Sequence, residues 1–353
     1  MLGCNVAGTL QVAAVVAFYM AAALIMVFVN KAVLNSSPDL PLLFLLIQLL
    51  IAVILLYASA LVSKRIEIPK FDAQTAKKLV PVVLVNVIGL VFNTLCLRDV
   101  EASFFQIARG LVLPLTIVVS SLHTRTTPPA KVLLAAATVA FGFFVGVTPS
   151  TSLPVASTPS IISLLYGVLS SLFIAFHAVL IKSSLPHCNN STIQLAWWTN
   201  CGSAVVLFPA VVLDGEAALF SNMLHDAKWD GTVFFRGSLV TGFFGFLLCI
   251  AGLLSIKITS PITHMFSSAA RSVLQTLLGR WIFGDILTVS RGASITIILG
   301  GTMYYTWIKS QTSPPPSRRS EDVESSGADS MSLKSKHELA QAKSTPPVHS
   351  QEK

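Results

Sequence analysis

The feature that most constrains the fold is a succession of long apolar runs separated by short polar segments. A helix needs about 20 apolar residues to cross the hydrocarbon core of a bilayer. The chain contains ten runs near this length, at residues 10–30, 40–62, 79–97, 103–122, 130–147, 159–181, 192–213, 233–254, 261–281 and 287–308. We therefore predict an all-α membrane protein with ten transmembrane helices in one domain, residues 1–309.

The composition agrees with this class. Only 11% of the residues are charged and 53% are hydrophobic, whereas soluble globular proteins are about 25% charged. This excludes a soluble enzyme of the ordinary kind. Residues 310–353 are instead rich in Ser, Pro and charged residues, and we predict that they form a disordered cytosolic tail.

The net charge of +8 arises within residues 1–309. The basic residues there are scattered between apolar runs and form no stripe, so no nucleic-acid partner is expected. Loops between alternate spans are richer in Lys and Arg, and the cytosolic loops of membrane proteins carry this excess. The charge distribution therefore predicts that both termini are cytosolic, as an even number of spans requires.

Acidic residues are absent from the middle of the predicted spans. All ten in residues 1–309 fall in loops or at span ends, so a buried carboxylate relay for proton coupling has no obvious carrier. His177, in the sixth span, is interpreted as a satisfied packing residue. The Cys and His residues show no metal-ligand spacing, and no cofactor or enzymatic activity is expected.

Two basic residues lie deeper inside predicted spans than the others, Arg109 in the fourth and Arg271 in the ninth. A charge within the membrane costs at least about 2.5–3.5 kcal/mol, so each is a candidate for function. Neither has an acidic residue at similar depth, which indicates that a ligand supplies the counter-charge. Phosphate oxygens match guanidinium geometry best. Two alternatives remain open: Arg109 could snorkel to the interface, or both arginines could merely pack in a non-transporting scaffold.

Polar residues near these cations at helical spacing extend the predicted site. Trp198 and Asn200 in the seventh span are candidates to stack on and hydrogen-bond a nucleobase, with an aromatic belt as the alternative. Lys31 is either an interfacial anchor or a ligand contact. The complete predicted substrate-binding set is Arg109, Arg271, Gln106, Ser267, Ser268, Gln275, Trp198, Asn200 and Lys31.

The positions of the two arginines also predict an internal symmetry. Each lies on the fourth helix of a group of five, as expected for a five-plus-five inverted repeat with its site at the repeat interface. A separate GxxxG motif, Gly142 and Gly146 in the fifth span, fits helix packing inside one bundle as well as a homodimer.

Three stretches resemble the nucleotide-sugar and triose-phosphate translocators of the drug/metabolite transporter superfamily, and within it most closely the GDP-fucose transporters. They are MVFVNKAVL, FNTLCLRDV and GFFGFLLCIAGLLSIKITSPITHMFSSAARSVLQTLL. The resemblance covers residues from about 12 to 309. It implies ten helices, a central cavity, and a phosphate-contacting role for Arg271 and Arg109. It also matches a guanine-contacting segment to residues 197–200, with identity at Asn200 alone.

The resemblance implies a Golgi antiporter that imports GDP-fucose in exchange for GMP. Other carriers stay open as alternatives, with GDP-mannose, a UDP-sugar or a phosphorylated metabolite as cargo. A polytopic membrane transferase is a further alternative, and the endoplasmic reticulum is a second location that the sequence leaves open.

Overall fold

The fold was determined as a computed structural model that describes residues 2–63, 66–148, 159–226, 229–258 and 261–312. Within residues 2–13, 15, 249–258, 261–269 and 312 it describes the helical backbone alone. The predicted disordered tail therefore lies almost wholly outside the described residues, and its boundary at residue 310 stays a prediction.

All regular structure in the described residues is helical. The twelve α-helices are α1 (Leu2–Ser36), α2 (Pro41–Val62), α3 (Ala73–Asp99), α4 (Ala102–Gly110), α5 (Val112–Thr124), α6 (Ala130–Val147), α7 (Ile161–Ser184), α8 (Thr192–Leu213), α9 (Glu216–His225), α10 (Thr232–Ile258), α11 (Pro261–Phe283) and α12 (Val289–Thr312).

Local sequence sets where several helices begin. Pro41 occupies the first turn of α2, where its missing N–H costs nothing. Asp72 caps α3 by accepting hydrogen bonds from the backbone N–H groups of Gln74 and Thr75. The Thr75 hydroxyl donates to the same carboxylate at 2.6 Å, and these hydrogen bonds hold the pKa of Asp72 below its usual value.

Seven helical segments of the described residues are long and apolar enough to cross a membrane. They match the first seven predicted spans, and α4 and α5 together make the fourth. The other three predicted spans fall on α10, α11 and α12. These are helical, with Thr232–Leu248 a shorter apolar segment. The all-helical membrane class is therefore confirmed, and the count of ten spans stays a prediction.

The helices differ from the sequence prediction in two informative ways. The first span was placed at 10–30, whereas α1 continues to Ser36 because Lys31 does not end it. The short helix α9 was not predicted. Its Glu216 accepts hydrogen bonds from the backbone N–H groups of Leu42 and Leu43, so α9 is fastened to the start of α2.

The helices pack in a recurring set of pairs. α3 packs along α7 and α8, and α1 packs along α10 and α11. α2 contacts α8 and α10, while α4 contacts α7 and α11. The two glycines of the GxxxG motif face α12 of the same chain, where a Cβ at Gly142 would lie 2.9 Å from Ile298. The motif is thus used within the bundle, and a homodimer stays a prediction.

Candidate functional site

The fourth predicted span is broken directly after Arg109. α4 ends at Gly110 and α5 begins at Val112, because Pro114 has no N–H to donate to the Gly110 carbonyl. The Ala108 carbonyl accepts a hydrogen bond of 2.9 Å from the Ser171 hydroxyl of α7. Arg109 therefore lies in the last turn of a short helix, where the helix dipole favours a cation.

Arg109 and Arg271 are brought together in the interior. Both line cavity I, of about 420 Å³, between α4, α5, α7, α11 and α12. Both also line cavity II, of about 290 Å³, which is bounded on the other side by α1 and α3. The two cations predicted from sequence thus share two adjoining cavities.

The described residues offer these two arginines no carboxylate. The two guanidinium groups repel each other, and the ion pairs of the described chain are Arg98–Asp99 and Arg291–Glu101. Arg271 Nε is buried and has no hydrogen-bond partner there. The Arg109 guanidinium lies 5.7 Å from the centroid of the Phe105 ring, a cation–π contact that leaves its N–H groups to a ligand.

Two predicted glutamines join α4 to α11. Gln106 Nε2 donates to the Ser272 hydroxyl at 2.8 Å, and its side chain lines cavity I beside both arginines. Gln275 is buried, and its Nε2 donates to the Ala102 carbonyl at 3.2 Å. The side chains of Ser267 and Ser268 lie outside the described residues.

The predicted base-reading residues are separated from each other. Trp198 is buried in an apolar cluster, with its ring 4.9 Å from Trp197 and 5.7 Å from Phe71 between centroids. Asn200 lines cavity IV, of about 210 Å³, and its amide donates to the Ala196 carbonyl at 2.7 Å. Cavity IV adjoins cavity II, since Met26 lines both.

Lys31 has a role that neither sequence interpretation included. Its ammonium donates to the carbonyls of Leu97 and Arg98, each at 2.9 Å. These carbonyls belong to the last turn of α3, where a cation satisfies orphan acceptors and the helix dipole. Lys31 is buried and does not line cavity I, II or IV.

A second polar cluster lies at the start of α4. Arg291 pairs with Glu101 and donates to the Ile286 carbonyl at 2.7 Å. The Asp285 carboxylate accepts from the backbone N–H of Ser103 at 2.9 Å, which caps the first turn of α4. We call these residues the α4 end cluster: Glu101, Ser103, Asp285 and Arg291.

Several cavity residues were not predicted from the sequence, because the candidate site was selected by charge and these residues are neutral. Asn30 and Asn93 line cavity II with the arginines, and both lie inside the stretches that carried the family resemblance. Gln48, in α2, donates to Asn30 and to the Thr241 hydroxyl, each at 2.7 Å. An amide inside an apolar run is the local signal that could have identified them.

Comparison with known proteins identifies the family. The model of the Triose-phosphate Transporter family matches residues 10–306. The chain belongs to this family. The resemblance drawn from the sequence is therefore confirmed, and the two arginines lie within the matched region.

Named relatives span most of the chain. It is 28% identical to GDP-fucose transporter 1 of Dictyostelium discoideum over 303 residues, 83% of this chain and 79% of that protein. It is 28% identical to GDP-fucose transporter 1 of Mus musculus over 309 residues, 85% and 84% of the two chains. A solved crystal structure, 15% identical, aligns with a TM-score of 0.50 over 84% of this chain and 98% of that chain, a likeness of fold alone.

Proposed function

We propose that this chain is a nucleotide-sugar transporter of the Golgi membrane, with GDP-fucose as its first candidate cargo and GMP as the exchanged nucleotide. The observation that carries the proposal is the pair Arg109 and Arg271, which line two shared cavities with no carboxylate partner among the described residues. The names of the relatives agree with this cargo.

A diphosphate is the ligand chemistry that best fits this pair. Its anionic oxygens accept charge-assisted, bidentate hydrogen bonds from guanidinium groups. Two such groups that repel each other are both stabilised by one anion held between them. Gln106 supplies further polar surface beside them. A phosphate oxygen would provide the partner that Arg271 Nε lacks among the described residues.

Exchange follows from the same charges. An empty carrier that closed around the arginines would desolvate two unpaired cations, which is costly. With a nucleotide bound the charges are matched, so the loaded carrier changes sides more readily. We infer that GDP-fucose enters the Golgi lumen as GMP leaves it, with ten spans and both termini in the cytosol.

The helix packing supports an inverted repeat of five spans. α4 and α5 are counted together as span 4, and α6, α7, α8, α10, α11 and α12 then form spans 5 to 10. An inverted repeat exchanges spans 1–5 with spans 6–10, so that span 1 becomes span 6 and span 8 becomes span 3. This exchange turns the packed pair 1–8 into 6–3, the pair 2–8 into 7–3 and the pair 1–9 into 6–4. All six pairs occur. Because five is odd, the second repeat would cross the membrane in the opposite sense.

The decisive experiment is counterflow into liposomes that contain the purified protein. We expect labelled GDP-fucose to accumulate when GMP is trapped inside, and Arg271→Ala to abolish uptake. The matched control is Arg280→Ala, since Arg280 is an exposed arginine on the same helix. Uptake that does not depend on trapped GMP would overturn exchange, and uptake that survives the loss of both Arg109 and Arg271 would overturn the site.

A second candidate is a carrier of another nucleotide sugar. The chain is 22% identical to the human protein named "Nucleotide sugar transporter SLC35D2" over 303 residues, 85% of this chain and 87% of that protein. A competition panel with guanine, uridine, adenine and cytidine nucleotides separates the two. Inhibition by guanine forms alone supports GDP-fucose, whereas inhibition by uridine forms supports the second candidate.

A further inference from the structure

A third cavity opens beside Arg109, on the side of α3 and α7. Cavity III has a volume of about 230 Å³ and is lined by Arg109 together with Asn86, Asn93 and His177. The space is much larger than a single water needs, so it can accept a small polar ring. Neither Asn86 nor His177 belongs to the site predicted from the sequence.

The polar groups of cavity III are incompletely bonded. Among the described residues, the interpretation of His177 as a satisfied packing residue is wrong, because its buried Nε2 has no hydrogen-bond partner there. Asn86 uses its Nδ2 to donate to the Ser203 hydroxyl at 3.1 Å, and Asn93 uses its Oδ1 to accept from Ser170 at 3.4 Å. The Asn86 carbonyl and the Asn93 amino group have no bonded partner among the described residues.

An unpaired buried polar atom costs about 1–3 kcal/mol, so the buried His177 Nε2 indicates a ligand that supplies its partner. The free groups of Asn86 and Asn93 line the same cavity. Apart from Arg109, which is assigned to the diphosphate, the available groups are one acceptor, one donor and an imidazole. The apolar part of the lining includes Phe173 and Leu90. A ring with hydroxyls on its edge and C–H groups on its face fits a lining that mixes polar and apolar groups, which is the chemistry of a sugar.

The position of cavity III relative to the arginines agrees with this chemistry. Arg109 and Asn93 line both cavity II and cavity III, so a diphosphate held by the arginines would lie next to the opening. Asn200, the candidate base reader, lines cavity IV instead. The sugar and the base of a nucleotide sugar would thus extend from the diphosphate into different cavities, the sugar into cavity III and the base into cavity IV.

We propose that cavity III is the sugar subsite, with His177, Asn86 and Asn93 hydrogen-bonding the hydroxyls of the hexose. The assignment rests on the proposed function, since it presumes a diphosphate at the arginines. A glycine helps to shape the subsite. A Cβ at Gly89 would lie 3.1 Å from Phe173 Cβ, so the glycine allows α3 and α7 to approach each other beside the cavity.

The test compares three ligands that differ in the sugar alone or in one phosphate. Dissociation constants for GDP-fucose, GDP and GMP are measured on the purified full-length protein and on His177→Leu. We expect about tenfold weaker binding of GDP-fucose, with GDP and GMP unchanged within twofold. His177→Gln should recover part of the loss, since its amide again offers a hydrogen-bonding group.

Two further variants separate a sugar contact from a general defect. His187→Leu is the matched control on an exposed histidine outside the cavity and should change none of the three constants. Val85→Phe fills the apolar side of cavity III without removing a polar group, and it should also weaken GDP-fucose selectively.

Equal loss for all three ligands, or no loss for any, overturns the sugar subsite. Failure of the proposed function looks different: the unmodified protein would then bind none of the three, or Arg271→Ala would bind them all as well as the unmodified protein does.

Discussion

Two arginines near α4, Arg291 and Arg271, differ in whether the described chain provides a counter-charge for them. Arg291 has a side chain only 2% exposed, and it is matched by Glu101 and by the Ile286 carbonyl. Arg271 is given no carboxylate, and its Nε has no hydrogen-bond partner in the described part of the chain. The chain can supply a counter-charge for a buried arginine, so the missing partner at Arg271 in the described residues supports the ligand site proposed there.

The largest expected effect comes from breaking the matched pair. Glu101→Gln leaves Arg291 buried without its carboxylate, and we expect the free energy of unfolding in detergent to fall by about 3 kcal/mol. The control is Asp99→Asn in the more exposed Arg98–Asp99 pair, where the loss should stay below about 1 kcal/mol. Equal losses in the two variants would remove the distinction between a matched buried cation and an exposed one.

At Arg271, the cation without a carboxylate partner in the described residues, substitution should change the free energy of unfolding in the opposite direction. Arg271→Met removes an uncompensated charge, so the free energy of unfolding without ligand should stay the same or rise by about 1–2 kcal/mol. Added GMP should raise the thermal midpoint of the unmodified protein and of Arg280→Met, but not that of Arg271→Met. A large destabilisation by Arg271→Met would mean that the protein itself holds this charge.

Lys31 sharpens the comparison, because it is a buried cation whose hydrogen-bond partners in the described residues are backbone carbonyls. Lys31→Met should lower the free energy of unfolding by about 1 kcal/mol through loss of the helix cap. GMP affinity should stay within twofold of the unmodified value, as measured by the same binding assay. A parallel loss of affinity would return Lys31 to the ligand contacts.

The smallest effect concerns Glu216, which lies outside the membrane-crossing segments. Burial raises the pKa of its carboxyl above the usual value, and the N–H groups of Leu43 and Leu42 partly offset this rise. The folded state therefore binds the proton more tightly than the unfolded state. Its contribution to stability is present below the unfolded pKa and is lost as pH rises through the folded pKa.

Glu216→Gln should flatten this slope in the interval just above the ordinary glutamate pKa. Thermal midpoints of the two proteins, measured across that interval, should differ most at its upper end. Parallel pH profiles would mean that the buried carboxyl does not titrate there.

The sequence was sufficient for the features whose signal is local. A basic residue inside an apolar run identifies itself, so Arg109 and Arg271 could be selected without a structure. Apolar length likewise located the first seven spans. The helix break after Arg109 could also have been predicted, since Pro114 stands four residues after Gly110. The run 103–122 was instead interpreted as one helix.

Features that join distant residues could not be predicted in the same way. Lys31 caps a helix end 66 residues away, and no spacing rule connects the two. Asn86 and His177 meet only because α3 packs along α7. A neutral polar side chain costs less in a membrane than a charge, so its presence alone distinguishes weakly between packing and binding.

The short helix α4 links the two arginine environments mechanically. Its nine residues form a helix roughly 13 Å long. Arg109 lies near the C-terminal end of this helix, and the α4 end cluster binds its N-terminal end. The backbone interruption at Gly110 and Leu111 separates this helix from the rest of the span. An anion bound to Arg109 would therefore act on a helix whose other end is held by the α4 end cluster, and so connect the proposed ligand site to the Arg291 ion pair.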